Sequence, residues 1–171
     1  MAVKGLTQTS SVVSIGFNAT ELAPNTFAQT SIDLNLSPLD REVFVVLAVN
    51  LDTFTPDSVA GVTSLVRSSL TTTSQTAVQE ISESNCLAAA STAIRMNGAS
   101  VDGVAFQTLG LETPPATLEY IGIIATNDFF VQINGTQNLN PKEVNGKLYG
   151  YRARADAAIF AALVQSEVLS A

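Results

Sequence analysis

Fifteen carboxylates and one thiol, Cys86, are the groups in this 171-residue chain that could do chemistry, because it contains no histidine. Without an imidazole, Ser-His-Asp and Cys-His catalysis lose their general base and His-based zinc sites lose a ligand. Most hydrolase chemistries are thereby excluded. Two carboxylates facing each other across a cleft would still serve glycoside hydrolysis, and Asp128 with Glu119, or Asp33 with Glu42, are the candidate pairs. No tryptophan exists to stack on a sugar, and isolated surface carboxylates are far more often solvated than catalytic. Asp52, Asp57, Asp102 and Asn97 fall in loops where oxygen ligands could gather around calcium, but none belongs to a spaced D-x-[DN]-x-[DN]-G loop. Gly98, Gly103 and Gly110 do not open a helix after a strand, so no phosphate-cradling loop is read there. Asn18-Ala19-Thr20 and Asn134-Gly135-Thr136 match the glycosylation sequon, a pattern frequent by chance in a Thr-rich chain. Cys86, among the small residues of SNCLAAAST, reads as a buried inert thiol. The sequence therefore predicts no catalytic, cofactor-binding or metal-binding residue, no small-molecule substrate and no enzyme.

Composition points elsewhere. Charged residues make up 13% of the chain, about half of the ~25% usual in globular proteins, so the surface must be built largely from Ser, Thr, Asn and Gln. Such a surface desolvates at little cost when its polar groups find partners, which suits a protein that packs against neighbours. The net charge of −7 and the eight scattered Lys and Arg residues argue against direct contact with nucleic acid. The start MAVKGLTQTS has no apolar stretch of the kind that directs secretion, and no window reaches the ~20 apolar residues a membrane span requires.

The elements that would position any site speak mostly in period two. SSVVSIGFNAT alternates through Val13, Ile15 and Phe17, and FAQTSIDLNL alternates at Ile32, Leu34 and Leu36, which predicts strands with one wet face. REVFVVLAVNLD is apolar without a break and predicts a central strand covered on both faces. VTSLVRSSLTTTS is more polar and reads as an edge strand, while CLAAASTAIRM reads as a strand whose Leu87, Ala90 and Ile94 would also share a helical face. VDGVAFQTLGLETPPA carries a short strand stopped at Pro114-Pro115. In EYIGIIATNDFFVQING, two apolar runs flank Thr126, Asn127 and Asp128, of which Asn127 and Asp128 tolerate the left-handed conformations of a tight turn, so the runs are expected to pair as an antiparallel core hairpin. NGTQNLNPKEVNG reads as a polar loop, and GKLYGYRARADAA as a last strand that turns Arg152 and Arg154 to one face. Asp156 is placed as the N-cap of an amphipathic helix over about 156–169, with Ile159, Phe160, Leu163, Val164 and Val168 on its apolar face and Gln165, Ser166 and Glu167 mostly opposite. This predicts one all-β sandwich domain of about eight strands over 1–171, with a short N-terminal arm at about 1–9 and the C-terminal helix.

The arginine doublet pairs either with acidic residues of its own chain or with a neighbour's. The helix either caps its own sandwich or docks on another subunit. Arg152, Arg154, Ile159, Phe160, Leu163, Val164 and Val168 are accordingly the candidate subunit-interface residues.

The two-sided strand REVFVVLAVNLD, the segment EYIGIIATNDFFVQING, the closing GKLYGYRARADAAIFAALVQSEVLSA and the Ser/Thr-rich strands together resemble the single jelly-roll capsid proteins of icosahedral viruses, particularly the tailless viruses of bacteria and archaea. The resemblance implies a jelly-roll β-sandwich of two four-stranded sheets. It also implies synthesis in the host cytoplasm, assembly into pentameric or pseudo-hexagonal capsomers of a virion, partners that are copies of itself and other virion proteins, and no catalytic site. Many such proteins that touch the genome carry a basic N-terminal arm, whereas Lys4 is the one cation in MAVKGLTQTS. That departure implies a shell with an internal membrane layer or several proteins, or another role in the virion. Two other classes fit the same composition: a phage tail-tube or head-decoration protein, and a carbohydrate-binding or adhesin module. The last would need aromatic platforms that Tyr120, Tyr149 and Tyr151 supply poorly.

Overall fold

The computed structural model describes residues 4–98, 102–108, 110–112 and 117–171, and it has two antiparallel sheets and one helix. The strands are β1 (Leu6–Gln8), β2 (Val13–Thr20), β3 (Ala28–Asp33), β4 (Glu42–Thr53), β5 (Ser64–Thr71), β6 (Cys86–Met96), β7 (Gly103–Thr108), β8 (Gly110–Glu112), β9 (Gly122–Ile124), β10 (Asp128–Thr136) and β11 (Glu143–Ala155), followed by helix α1 (Ala157–Leu169). The Pro114-Pro115 stop lies outside the described residues.

Pairing is nested from the outside in. β2 pairs with β11, β3 with β10, β4 with β8 and β9, and β5 with β6. Rolling that four-step ribbon sends alternate steps to opposite layers. One sheet is β2–β11–β4 with β8 and β9 sharing the edge of β4, and the other is β3–β10–β5–β6. This is the jelly-roll arrangement, two Greek keys folded into a double sheet. Two short strands extend it: β1 adds to β11 beyond β2, and β7 adds to β6. The expected N-terminal arm is therefore partly strand.

β4 is central and covered on both faces, as its composition predicts, but not by simple alternation. Phe44 and Val46 face the other sheet, Val43 and Val45 face away from it, and the register then skips Leu47, so that Val49 and Leu51 point inward again. A bulge of this kind inserts one unpaired residue and resets the pleat. The main core gathers Phe44, Val46, Val49, Leu51, Val66, Leu70, Ile124, Phe129, Val131, Ile133 and Leu148, all buried. Phe17 of β2 and Phe129 of β10 meet edge to face, 5.6 Å apart at 77°, a contact contributing about 0.5–1.5 kcal/mol beyond burial. Gly146 of β11 leaves room for it: a Cβ there would stand 2.6 Å from the Phe17 ring and would also meet the Asn50 carbonyl.

Three expectations are corrected. The two runs of EYIGIIATNDFFVQING are not a hairpin: β9 pairs with β4 in one sheet and β10 with β3 and β5 in the other. The three intervening residues cross between layers, which buries Ile124 and Phe129 without pairing their strands. Asn127 has no left-handed backbone. Instead its carbonyl accepts from Leu34 N at 2.7 Å, its side-chain oxygen accepts from Leu36 N at 2.7 Å, and its amide donates to Asp33 at 2.7 Å. β5 is not an edge strand but lies between β10 and β6. Its polar residues belong to a buried network in which Ser69 Oγ donates to Gln132 Oε1 at 2.7 Å, Gln132 Nε2 donates to Thr71 Oγ1 at 2.7 Å, and Gln79 N of the covering loop donates to Ser69 Oγ at 3.0 Å. Satisfied uncharged groups of this kind are buried at low cost. Finally, β11 starts at Glu143, inside the segment read as a loop.

Among the described residues no helix is long and apolar enough to cross a membrane.

Candidate functional site

Asp33, Glu42 and Asp57, among the carboxylates considered above, make structural contacts. Asp33 and Asp128 stand directly opposite one another on β3 and β10, and Glu42 turns instead to Arg152 at 3.7 Å while accepting from Ser37 N at 3.1 Å. Asp33 thus meets Asp128 and not Glu42, and Glu119 lies near Tyr151 of the first sheet whereas Asp128 is in the second. Of the residues considered for calcium, Asp57 is committed to an ion pair, and Asp52, expected in a loop, lies instead in β4 opposite Asn145 with its side chain exposed. Among the described residues no three acidic, Cys or His groups stand where they could hold a metal.

Two polar clusters organise the ends of the sandwich. At one end the connections 21–27, 54–63 and 137–142 come together. Asp57 accepts from Lys142 Nζ at 2.6 Å through one oxygen, and from Leu139 N and Asn140 N, both at 2.9 Å, through the other. The Lys142 hydrogen bond, aided by those backbone donors and opposed by burial, holds the Asp57 carboxyl down at about 2. Glu21, itself buried, accepts from Gly135 N at 2.6 Å and Lys142 N at 2.9 Å. Asn25 and Asn138 exchange two bonds: Asn25 Nδ2 donates to the Asn138 carbonyl at 2.9 Å, and Asn138 N donates to Asn25 Oδ1 at 2.7 Å. Asn138 Oδ1 also accepts from Asp57 N at 2.9 Å. On this cross-linked base stand Leu22, 97% exposed, Leu139, 69% exposed, and Phe54, 49% exposed.

The other end carries the predicted interface residues. Arg152 and Arg154 share a face, as the alternation predicts, and both turn to the 34–42 connection of their own chain. Arg152 Nη2 donates to the Leu34 carbonyl at 2.8 Å, and Arg154 stands 3.9 Å from Asp40. Helix α1 lies on the outer face of the first sheet. Ile159, Phe160, Leu163 and Val164 pack there against Leu6, Val43, Val45, Ala153 and Ala155. Tyr120 and Tyr151 join the same cluster, where burial first, then the Glu119 carboxylate and Tyr120, raise the Tyr151 phenol above its ordinary pKa.

The polar face drawn for the helix is corrected at Glu167. This side chain is buried and faces the sheet, accepting from Ala125 N at 2.7 Å and Thr126 N at 2.9 Å, whereas Val168 points outward at 63% exposure. Residues 160, 163, 164 and 167 make one helical stripe. The backbone donors of the 125–126 crossing decide which residue completes it. Asp156 occupies the N-cap position but makes no side-chain capping bond. Outward the helix shows Ala161, Ala162, Val168 and Leu169, with no charge among them.

Glu21, Asp57 and Glu167 are the positions that sequence reasoning passed over or misread. Each binds backbone N–H groups far away in the chain, and no local pattern marks such a partner.

No family model and no curated protein matches the chain. A solved structure titled Desmodium yellow mottle tymovirus is similar at 12% identity, covering 86% of this chain and 91% of that one, with a TM-score of 0.30. At that score the likeness decides nothing, and the fold assignment rests on the strand order.

Proposed function

We propose that this chain is a virion structural protein, a self-assembling capsid subunit of the jelly-roll type with copies of itself as its main partners. The observation that carries this reading is the loop end: Leu22, Leu139 and Phe54 are exposed on a base whose carboxylates and amides are tied to backbone donors. Large apolar side chains on a pre-ordered platform lose little conformational freedom on contact, which is what a recurring interface of ~800 Å² per partner requires. The uncharged outer face of α1, with Val168 and Leu169, is a second surface suited to a neighbour. Ile159, Phe160, Leu163 and Val164 support such a neighbour by fixing the helix on its own sheet, while Arg152 and Arg154 brace the 34–42 connection of their own subunit.

The reading is tested by light scattering and negative-stain microscopy of the purified protein as its concentration and salt are raised, in parallel with a Leu22→Ser/Leu139→Ser double variant. Pentamers, hexamers or shells in the wild type, weakened at least tenfold in the variant, are expected. Stacked rings would move the protein to the tail-tube class. A strictly monomeric species at every concentration overturns self-assembly.

A further inference from the structure

The second sheet ends at β7, which among the described residues pairs with β6 alone. All six residues of Gly103–Thr108 are exposed, and Val104 and Phe106 keep 61% and 55% of their surface open. An edge strand presents a row of backbone donors and acceptors to any strand that meets it, and proteins that must stay apart guard such edges with lysine, proline or a buried charge. GVAFQT contains none of these. We infer that β7 pairs antiparallel with β7 of a second copy about a two-fold axis, joining the two sheets edge to edge. The inference rests on the assembly reading above and names one contact within it.

Charge selects the occupant. A two-fold contact places the groups near the axis against their own copies, so a charge there would oppose itself, and like charges directly opposite destabilise a strand pair. In a chain of net charge −7, an uncharged six-residue strand is a segment that meets this condition. Pleat alternation then restricts the registers to those centred on a residue. Phe106 lies opposite Ala93 and Val104 opposite Arg95 on the outer face of the sheet, and the Arg95 guanidinium stands 5.8 Å from the Phe106 ring centre. A two-fold axis perpendicular to the sheet keeps outer residues outer, so each residue must oppose one of its own parity. Of these registers, the one centred on Ala105 sets Val104 of each copy against Phe106 of the other, so that the two large exposed apolar side chains cover each other, with Ala105 facing itself.

The register makes a chemical prediction. Residues directly opposite in an antiparallel pair have Cα atoms about 4.5–5.5 Å apart, within the range a disulfide spans. In a Cys86→Ser background, Ala105→Cys is therefore expected to cross-link under mild oxidation at least tenfold faster than Leu39→Cys, whose parent side chain is 97% exposed on a different surface. Phe106→Lys, at a side chain more than half exposed, is expected to weaken association at least tenfold with its denaturation midpoint unchanged. Equal cross-linking rates for Ala105→Cys and Leu39→Cys in the Cys86→Ser background, where the wild type does associate, overturn this contact and leave the assembly reading standing. Rapid cross-linking at position 105 without any larger assembly supports the contact and removes the shell reading. A monomeric wild type with no preferential cross-linking removes both.

Discussion

Asp57 is the residue whose removal most directly tests the loop platform. Its carboxyl is held at about 2, against an ordinary 3.8, first by the Lys142 hydrogen bond and then by the backbone donors Asn140 N and Leu139 N, with burial opposing them. A group whose pKa is lowered on folding contributes stability that is fully present above its unfolded value and is lost as pH falls through its folded value. The depression corresponds to roughly 2 kcal/mol, and the Asp57 side chain is only 22% exposed, so solvent screening leaves most of it. Asp57→Asn removes the charge, leaves Lys142, whose side chain is 8% exposed, without its counter-ion, and should cost about 2 kcal/mol or somewhat more at pH 6. The assay is the urea midpoint of wild type and variant at steps from pH 6 to pH 2. Wild type should lose about 2 kcal/mol more than the variant between pH 4 and pH 2, so that the curves converge in acid. A gap that stays constant from pH 6 to pH 2 would refute the assignment of that stability to the ionised carboxylate.

Glu167→Gln replaces one of two acceptors with a donor facing the backbone N–H groups of Ala125 and Thr126. It should cost about 1–3 kcal/mol and speed amide exchange in 157–169, with an unchanged exchange pattern counting against the anchor. Gly146→Ala sets a methyl group against the Phe17 ring and the Asn50 carbonyl. A loss of about 1–3 kcal/mol is expected, and because the backbone carbonyl remains, Phe17→Leu should rescue only part of it in a double-variant denaturation series. Asp128→Asn relieves the carboxylate pair with Asp33 across β3 and β10. It should raise the denaturation midpoint by the equivalent of about 0.2–1 kcal/mol at neutral pH, and a drop would mean that the two charges share a partner.

The layers were legible where burial and periodicity agree. The unbroken run of β4 announces two covered faces, and the sheet and the helix cover them. The strand–corner pattern of the N-terminal third is borne out by β2 and by β3 as far as Ile32, but β3 ends at Asp33 and Asn35 takes a left-handed backbone, so Leu34 and Leu36 are buried from the following connection and not from the strand. Pairing was less legible, because two short apolar runs separated by three residues fit a hairpin and a crossing between sheets equally well. What separates the two is Ile124 meeting Phe44, eighty residues earlier in the chain, and no local pattern carries that information. β5 was misplaced for a different reason. Polar composition signals exposure only when nothing returns to cover the sheet, and here the 72–85 connection does, with Gln79 N on Ser69 and Gln75 N on Gln29.

The same logic explains why carboxylates are conspicuous in the sequence and quiet in the fold. A carboxylate binding two or three backbone N–H groups does the work that a secondary-structure ladder does elsewhere, satisfying donors that a loop would otherwise leave bare. Asp57 does this for the 137–142 connection, Glu21 for the end of β10 and the start of β11, and Glu167 for the crossing at 125–126. Each ties segments remote in sequence with one carboxyl group, which fixes loops without apolar side chains and leaves the apolar ones free to point outward. Leu22 and Leu139 are exposed because Glu21 and Asp57 hold the loops that carry them. The acid–base chemistry of glycoside hydrolysis needs carboxylates in facing pairs, whereas Glu21, Asp57 and Glu167 act singly, on the backbone. On this account, breaking the Asp57 staple should weaken assembly as well as folding. Asp57→Asn at pH 6, under conditions where it remains folded, is expected to associate at least tenfold more weakly than wild type by light scattering, and equal association would separate the platform from the interface.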